Sequence, residues 1–344
     1  MRALVKTKVE PGNIELRGVP IPEPSADQVR IKVKRAGICQ TDIVYINEGG
    51  FALKPPVILG HELAGVIDAV GSEVKSFKIG DRVISQTTYH VCGKCRYCKK
   101  GLYNHCAERK GIGSGANGAF AEYLVIWEES VMLLPDDVTF DQGAAVEPLA
   151  CGVHALTERI NICVDSVVVI LGPGPIGLFA AQVAKAQGAY VIVGGLTQDA
   201  KRLELALKLG IDKAVDIQKE NIMEIVKSVT EGFGADVVVE ATGSRAAVDL
   251  GLNLAARRGT FIPMGVFNSP IEIDFHNIKK KELDVYGSHA QVPTSWHKAL
   301  KMIQNGKVNV DAVISHVIPL SKWEDALAIV AKREGLKIML NPEE

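Results

Sequence analysis

The hydrophobic pattern changes period partway along the chain. From Met1 to about Ser85, apolar and polar residues alternate in short runs. Leu4-Val5-Lys6, Val29-Arg-Ile-Lys-Val33, Ala64-Gly-Val-Ile67 and Arg82-Val-Ile-Ser85 are typical, punctuated by Pro20 to Pro24 and by Glu48-Gly-Gly. Period-two alternation between turn residues predicts strands with one buried face, hence an irregular, mostly antiparallel β domain. The pattern lapses from Gln86 to Gly118, resumes in Phe120 to Ile126, and becomes helical over Phe140 to Glu158. From about Val164 the texture differs. Val167 to Leu171 is continuously apolar, as a parallel strand covered on both faces requires. Helix Leu178 to Gln187, strand Tyr190 to Val193, helix Asp199 to Leu209, strand Val237 to Glu240 and helix Arg245 to Ala256 follow. Strands Thr260 to Met264 and Leu283 to Tyr286 complete the series. Alternating β and α units predict a doubly wound parallel sheet, so the fold class is α/β. The tail is helical at Trp296 to Gln304 and Lys322 to Lys332 and strand-like at Leu336 to Leu340.

A length of 344 residues suggests about two domains, and 47% hydrophobic with 23% charged residues suits a soluble globular protein. A net charge of −1 supplies no basic field for nucleic acid. No apolar run reaches membrane-spanning length, and the start, Met1-Arg-Ala-Leu-Val-Lys, alternates like a strand rather than a signal peptide. Seven cysteines, four of them clustered, fit a reducing cytoplasm in which thiolates serve metals.

Those four are Cys92, Cys95, Cys98 and Cys106, within the stretch that lacks periodicity. A loop that long needs something to hold it. Four thiolates at this spacing can meet at one tetrahedral zinc, each about 2.3 Å from the metal, and such a site is structural because no position is left for substrate. A disulfide pair is a rival that suits secreted chains. An iron–sulfur cluster is another, since the first three cysteines copy a ferredoxin run; Cys106, however, follows after seven residues and precedes Ala107.

Gly172-Pro-Gly174-Pro-Ile176-Gly177 directly follows the buried strand and opens a helix. In that context the first glycine permits the tight turn, the second lets backbone approach a pyrophosphate, and the third lets helix pack on strand. The acidic residue expected at the end of the next strand is missing: Val193 runs into Gly194-Gly195. Without a carboxylate to repel a 2′-phosphate, and with Lys201 and Arg202 close by, NADP is favoured over NAD, although Asp199 returns a negative charge.

Cys39, Thr41, His61, Glu62 and Glu147 are scattered, and each alone reads as core or solvated surface. Their order changes that. Gly60-His61-Glu62-x-x-Gly65, then Gly80-Asp81-Arg82-Val83, the four-cysteine stretch and the glycine-rich turn resemble the zinc-containing medium-chain dehydrogenase/reductase family over essentially the whole chain. Glu147-Pro148-Leu149 resembles its polyol and threonine dehydrogenase branches. The resemblance implies a GroES-like catalytic domain (1–150), a Rossmann domain (151–288) and a tail (289–344) that returns to the first domain. It implies a catalytic zinc held by Cys39, His61 and one or both of Glu62 and Glu147, in addition to the structural one. Thr41 matches the hydroxyl residue that passes on the substrate proton, with Glu62 and Glu147 in the catalytic set; Arg202 matches a residue beside the adenosine ribose. Ile176, Gly195, Gly265 and Ser288 complete the expected cofactor-binding set, and a homo-oligomer, dimer or tetramer, is expected. Tyr45 fits a substrate-pocket position, while His154 and His289 are read as structural. One position departs from the pattern: Val44 stands where many relatives carry a relay histidine. The expected activity is oxidation of a secondary alcohol, a polyol or sugar-like molecule, with NAD(P). The alternatives are a threonine-type amino-alcohol dehydrogenase and a non-catalytic nucleotide-sensing protein.

Overall fold

The computed structural model describes residues 1–50 and 52–344. The chain forms two compact units. One comprises Met1–Glu147, Val292–Leu300 and Val313–Glu344, the other Pro148–Gln291 and Lys301–Ala312.

The first unit is built on strand Gln28–Gly37. Its alternation buries Val29, Ile31 and Val33 completely while Arg30 and Lys32 face outward, as period two demands. It pairs antiparallel with Glu62–Val70, Tyr123–Trp127 and the tail strand Lys337–Asn341. Apart from Tyr123–Trp127, which branches from Gln28–Gly37, the order is Val131–Leu133, Arg82–Ser85, Glu62–Val70, Gln28–Gly37, Lys337–Asn341, Ile314–Pro319. Register sets Gly37 opposite Glu62 on one side and Met339 on the other. The returning tail thus flanks the strand that leads into Cys39.

Cys39-Gln-Thr41-Asp42, placed among strands by the hydrophobic pattern, opens a helix, Gln40–Asn47. Cys39 is its extended N-cap residue, and the Asp42 carboxylate accepts from the Cys39 N–H at 2.9 Å. At the other end the fully buried Lys6 ammonium donates to the carbonyls of Ile46 (3.3 Å), Glu10 (2.7 Å) and Gly12, putting a cation at the negative helix terminus. The helical stretch expected over Phe140 to Glu158 is two helices, Phe140–Ala144 and Val146–Thr157, and Glu147 lies in the first turn of the second. The cysteine segment holds only a short pairing of Thr88–His90 with Lys110–Gly111 and two single-turn helices, Cys98–Lys100 and Tyr103–His105. Its apolar core is Val91, Cys98 and Cys106 with a few partly buried neighbours.

The second unit carries a parallel sheet in the order Lys213–Asp216, Tyr190–Gly195, Val167–Leu171, Ala235–Glu240, Ala255–Pro263, Asp284–Val285. Strand order reverses beside Val167–Leu171, and ligands of such sheets bind at that switch point. Strand Lys213–Asp216 escaped the sequence pattern because only Val215 is fully buried in it. Helix Arg245–Leu254 ends two residues before the expected Ala256, since Ala255 already begins a strand. No helix among the described residues is long and apolar enough to cross a membrane.

Candidate functional site

The ligand atoms of Cys39, His61 and Glu62 lie within 4.8 Å of one another. The fold brings them together from two elements, the start of helix Gln40–Asn47 and the start of strand Glu62–Val70. Asp42, fully buried, ties the two: it takes the Cys39 and Gly60 N–H groups (2.9 and 3.3 Å), and its Oδ1 lies 3.5 Å from His61 Nδ1. His61 is thereby oriented with Nε2 as its remaining ligand nitrogen. Burial works to lower the His61 pKa, but Asp42 and Cys39 outweigh it and raise the pKa well above the usual histidine value. The pocket therefore favours positive charge, which together with a sulfur–nitrogen–oxygen donor set fits a zinc ion. Thr41 Oγ1 is 3.6 Å from Cys39 Sγ.

Glu62 has an ionic partner in the returning tail, 275 residues away in sequence. Both its oxygens accept from Lys337 Nζ, at 2.7 and 2.8 Å, and both side chains are almost entirely buried. Lys337 also donates to the Ile38 carbonyl at 2.9 Å. Burial opposes its charge, yet Glu62 and Cys39 raise its pKa. Only glycine fits opposite: a Cβ on Gly37 would stand 2.0 Å from Glu62 Oε2. Glu147 is buried but falls outside the three-residue cluster; its charge is felt by Lys337 and by Arg109.

The four clustered cysteines converge as a second set. Cys95 Sγ lies 3.5 Å and Cys92 Sγ 3.9 Å from Cys98 Sγ. Thiolates around one zinc would be about 3.8 Å apart at tetrahedral geometry, whereas a disulfide needs about 2.0 Å. So close a cluster suits a single ion better than a larger iron–sulfur cage. The backbone N–H groups of Cys92, Cys95 and Cys98 donate to Cys106, Cys92 and Cys95 sulfurs, each at 3.4 Å. Such bonds favour thiolate: backbone donation from Cys98 leads the effects that lower Cys95 to about 7, while burial leads those that push Cys98 to about 12.

In the second unit the three turn glycines meet the three physical demands. Gly172 has φ +105°, and a Cβ there would strike Thr242 at 2.6 Å; a Cβ on Gly177 would lie 1.9 Å from the Gly172 carbonyl. A Cβ on Gly174 would meet nothing within 4 Å, so its backbone borders open space at the start of helix Pro175–Ala186. Ile176 is half-buried in that first turn. Gly195 ends its strand against the same turn: a Cβ would lie 2.9 Å from Pro173 Cγ and 3.2 Å from Leu203 Cδ2. A side chain at 195 would therefore press on Pro173 and Leu203. Asp199 spends one oxygen on the Leu196 N–H (3.1 Å), with Arg202 at 3.9 Å, and Lys201 is exposed. Gly265 packs against Gly243 and Glu240, and Ser288 is half-buried just beyond strand Asp284–Val285. Glu240, fully buried, holds the Thr242 and Gly243 N–H groups through Oε1, while Oε2 has no partner among the described residues. His154 is buried and pairs with Glu158 at 3.0 Å, a structural contact.

Residues 25–136 match the alcohol dehydrogenase GroES-like domain, and residues 175–305 match a zinc-binding dehydrogenase domain. A sorbitol dehydrogenase of Halalkalibacterium halodurans is 43% identical, with 99% of each chain covered. A D-arabitol-phosphate dehydrogenase of Enterococcus avium is 42% identical over 94% of this chain and 93% of the relative. The structure of a proposed zinc-binding dehydrogenase from Sinorhizobium meliloti 1021, bound to NADP, matches with TM-score 0.91 at 32% identity, covering 99% of both chains.

Proposed function

The chain belongs to the zinc-containing medium-chain dehydrogenase/reductase family, in its polyol and threonine dehydrogenase branch, and we propose how its residues serve that chemistry. It is an NAD(P)-linked oxidoreductase that interconverts a secondary alcohol of a polyol or sugar-like molecule and its ketone. The observation that carries the assignment of roles is the convergence of Cys39, His61 and Glu62 in a pocket that favours a cation.

Cys39, His61 and Glu62 would hold a catalytic zinc, and Cys92, Cys95, Cys98 and Cys106 a structural one, giving two per chain. When bound, the catalytic zinc supplies the charge that lets an alcohol lose its proton near neutral pH, and the nicotinamide accepts the hydride. Asp42 fixes the ring of His61, and Lys337 fixes the carboxylate of Glu62. The Lys337 ammonium draws on both Glu62 oxygens, and would make Glu62 a weaker ligand than an unpaired carboxylate. Thr41 Oγ1 would accept a hydrogen bond from the substrate hydroxyl and give up its own proton as it takes the substrate's; with Val44 unable to relay it, that proton leaves through water or the ribose. Glu147 is a buried carboxylate whose charge acts on Lys337.

Gly172, Gly174, Ile176 and Gly177 would cradle the pyrophosphate at the helix N-terminus. Gly195, Lys201 and Arg202 would favour NADP modestly over NAD, since exposed pairings are worth about 0.2–1 kcal/mol each. Gly265 and Ser288 complete the cofactor contacts. The protein works in the cytoplasm as a homo-oligomer, dimer or tetramer, and its free thiols are consistent with a reducing compartment. The test is oxidation of a panel of polyols, sugars and amino alcohols with each cofactor, followed by reduced-nicotinamide absorbance. Polyols should lead; a panel led by L-threonine would transfer the activity to the amino-alcohol branch.

A further inference from the structure

Glu240 is fully buried at the carboxyl end of strand Ala235–Glu240, in register with Leu171, the last residue before the glycine-rich turn. Its Oε1 takes three donors: the N–H groups of Thr242 (2.6 Å) and Gly243 (2.9 Å) and the Thr242 hydroxyl. Its backbone carbonyl takes the N–H groups of Met264 (2.7 Å) and Gly265 (3.0 Å). Oε2 has no partner, and no lysine, arginine or histidine pairs with the side chain among the described residues. Two glycines admit this arrangement. A Cβ on Gly265 would lie 2.6 Å from Oε2, and a Cβ on Gly172 would lie 2.6 Å from Thr242 Cγ2. The loop that Glu240 holds is therefore packed against the turn that opens the phosphate cradle.

Three donors converging on one oxygen suit a carboxylate, and amides with a hydroxyl leave its net charge in place where a lysine would cancel it. A buried carboxylate with one oxygen unbonded is costly, so its presence calls for a reason. Its place in the sheet supplies one. Strands Val167–Leu171, Tyr190–Gly195 and Lys213–Asp216 carry the glycine-rich turn and the ribose position at Gly195, the adenosine half of a dinucleotide fold. Strands Ala235–Glu240, Ala255–Pro263 and Asp284–Val285 form the half left for the nicotinamide, and Glu240 ends the first of them, beside the switch point. The nicotinamide ring is a cation when oxidised and neutral when reduced.

We propose that the uncompensated charge of buried Glu240 makes the protein bind the oxidised nicotinamide cofactor in preference to the reduced one. The inference rests on the cofactor reading above and adds a preference for redox state. Glu240 acts at a distance, through its charge, while its hydrogen bonds position the loop. Its repulsion of the cofactor phosphates is the same in both redox forms and cancels from their ratio; its attraction for the ring is present in one form only. The protein is thereby poised, before any alcohol binds, with the cofactor form that accepts a hydride.

The test measures dissociation constants of NADP⁺ and NADPH, and of NAD⁺ and NADH, by calorimetric titration of the zinc-loaded protein without substrate. Glu240→Gln keeps the shape of the side chain and an oxygen for the three donors, and removes only the charge. The ratio of oxidised to reduced dissociation constants should rise about 10-fold in this variant, the order expected of one charge in a partly screened site. Affinity for the reduced form should hold or tighten. Thr242→Val removes one donor from Oε1 without touching the charge. There the ratio should hold or move toward the oxidised form, whatever happens to affinity for both, and this arm stands even if Glu240→Gln fails to fold. Equal weakening of both forms in Glu240→Gln, with the ratio unchanged, would reduce Glu240 to a loop anchor and overturn the proposal while leaving the cofactor reading intact. A rise in the ratio of Thr242→Val as large as that expected for Glu240→Gln would overturn it too. Failure of the wild type to bind any of the four dinucleotides would remove the cofactor reading and the proposal with it.

Discussion

Glu62 and Lys337 form a buried pair whose partners are 275 residues apart in sequence. Removing one member of such a pair strands the other charge, at a cost of about 3–5 kcal/mol. Lys337→Met should therefore lower the urea midpoint of the metal-free protein sharply, and Lys337→Arg should lower it less. The pH dependence has a definite sign. Lys337 has a raised folded pKa, so its contribution is complete below the unfolded value of about 10.4 and is lost as pH rises through the folded value. The gap between wild type and Lys337→Met should persist at neutral pH and close in strong alkali. An equal midpoint for both proteins at neutral pH would show that the pair contributes nothing net. Gly195 makes a second prediction at this scale. Gly195→Asp should weaken both cofactors, because its Cβ would press on Pro173 in the phosphate cradle. Lys201→Glu, which touches no packing, should lower kcat/KM for NADP relative to NAD by a few-fold. Equal ratios before and after would remove Lys201 from cofactor choice.

Among the elements, the cysteine segment depends most on its metal. With Val91, Cys98 and Cys106 as the small buried apolar cluster around its cysteines, it has little burial to stand on. Cys95→Ser should unfold the segment and lower thermal stability, whereas Cys39→Ser should abolish turnover with little effect on the fold. Metal analysis should give about two zinc ions per chain, falling to one in Cys39→Ser; iron with sulfide would replace the single-ion site by a cluster. The segment was legible because four cysteines at fixed spacing have few other uses. The central strands were legible too, since Val29-Arg-Ile-Lys-Val33 and Val167 to Leu171 state their burial in their period. Helix Gln40–Asn47 was not. It spans eight residues and contains Ile43, Val44, Tyr45 and Ile46, which favour strands locally; the Asp42 cap and the Lys6 ammonium are what decide it. At the site, Cys39, His61 and Glu62 are legible from motif order, but Lys337 and Asp42 act through contacts between segments apart in sequence. An isolated lysine in the apolar strand Lys337–Asn341 was the one available signal for the first.

For the whole molecule, one unit carries a cation-favouring donor set and the other a glycine-rich turn at the switch point of a parallel sheet. The central claim is that Cys39, His61 and Glu62 hold the zinc on which alcohol oxidation depends. It is tested most directly by stripping the protein with a chelator, measuring polyol oxidation, and restoring zinc, in wild type and in Cys39→Ser. The wild type should lose its activity and regain it with zinc, and Cys39→Ser should stay inactive throughout, including with its four-cysteine zinc restored and its fold intact. Polyol oxidation that persists in the stripped protein, or in Cys39→Ser at the wild-type rate, would contradict the account.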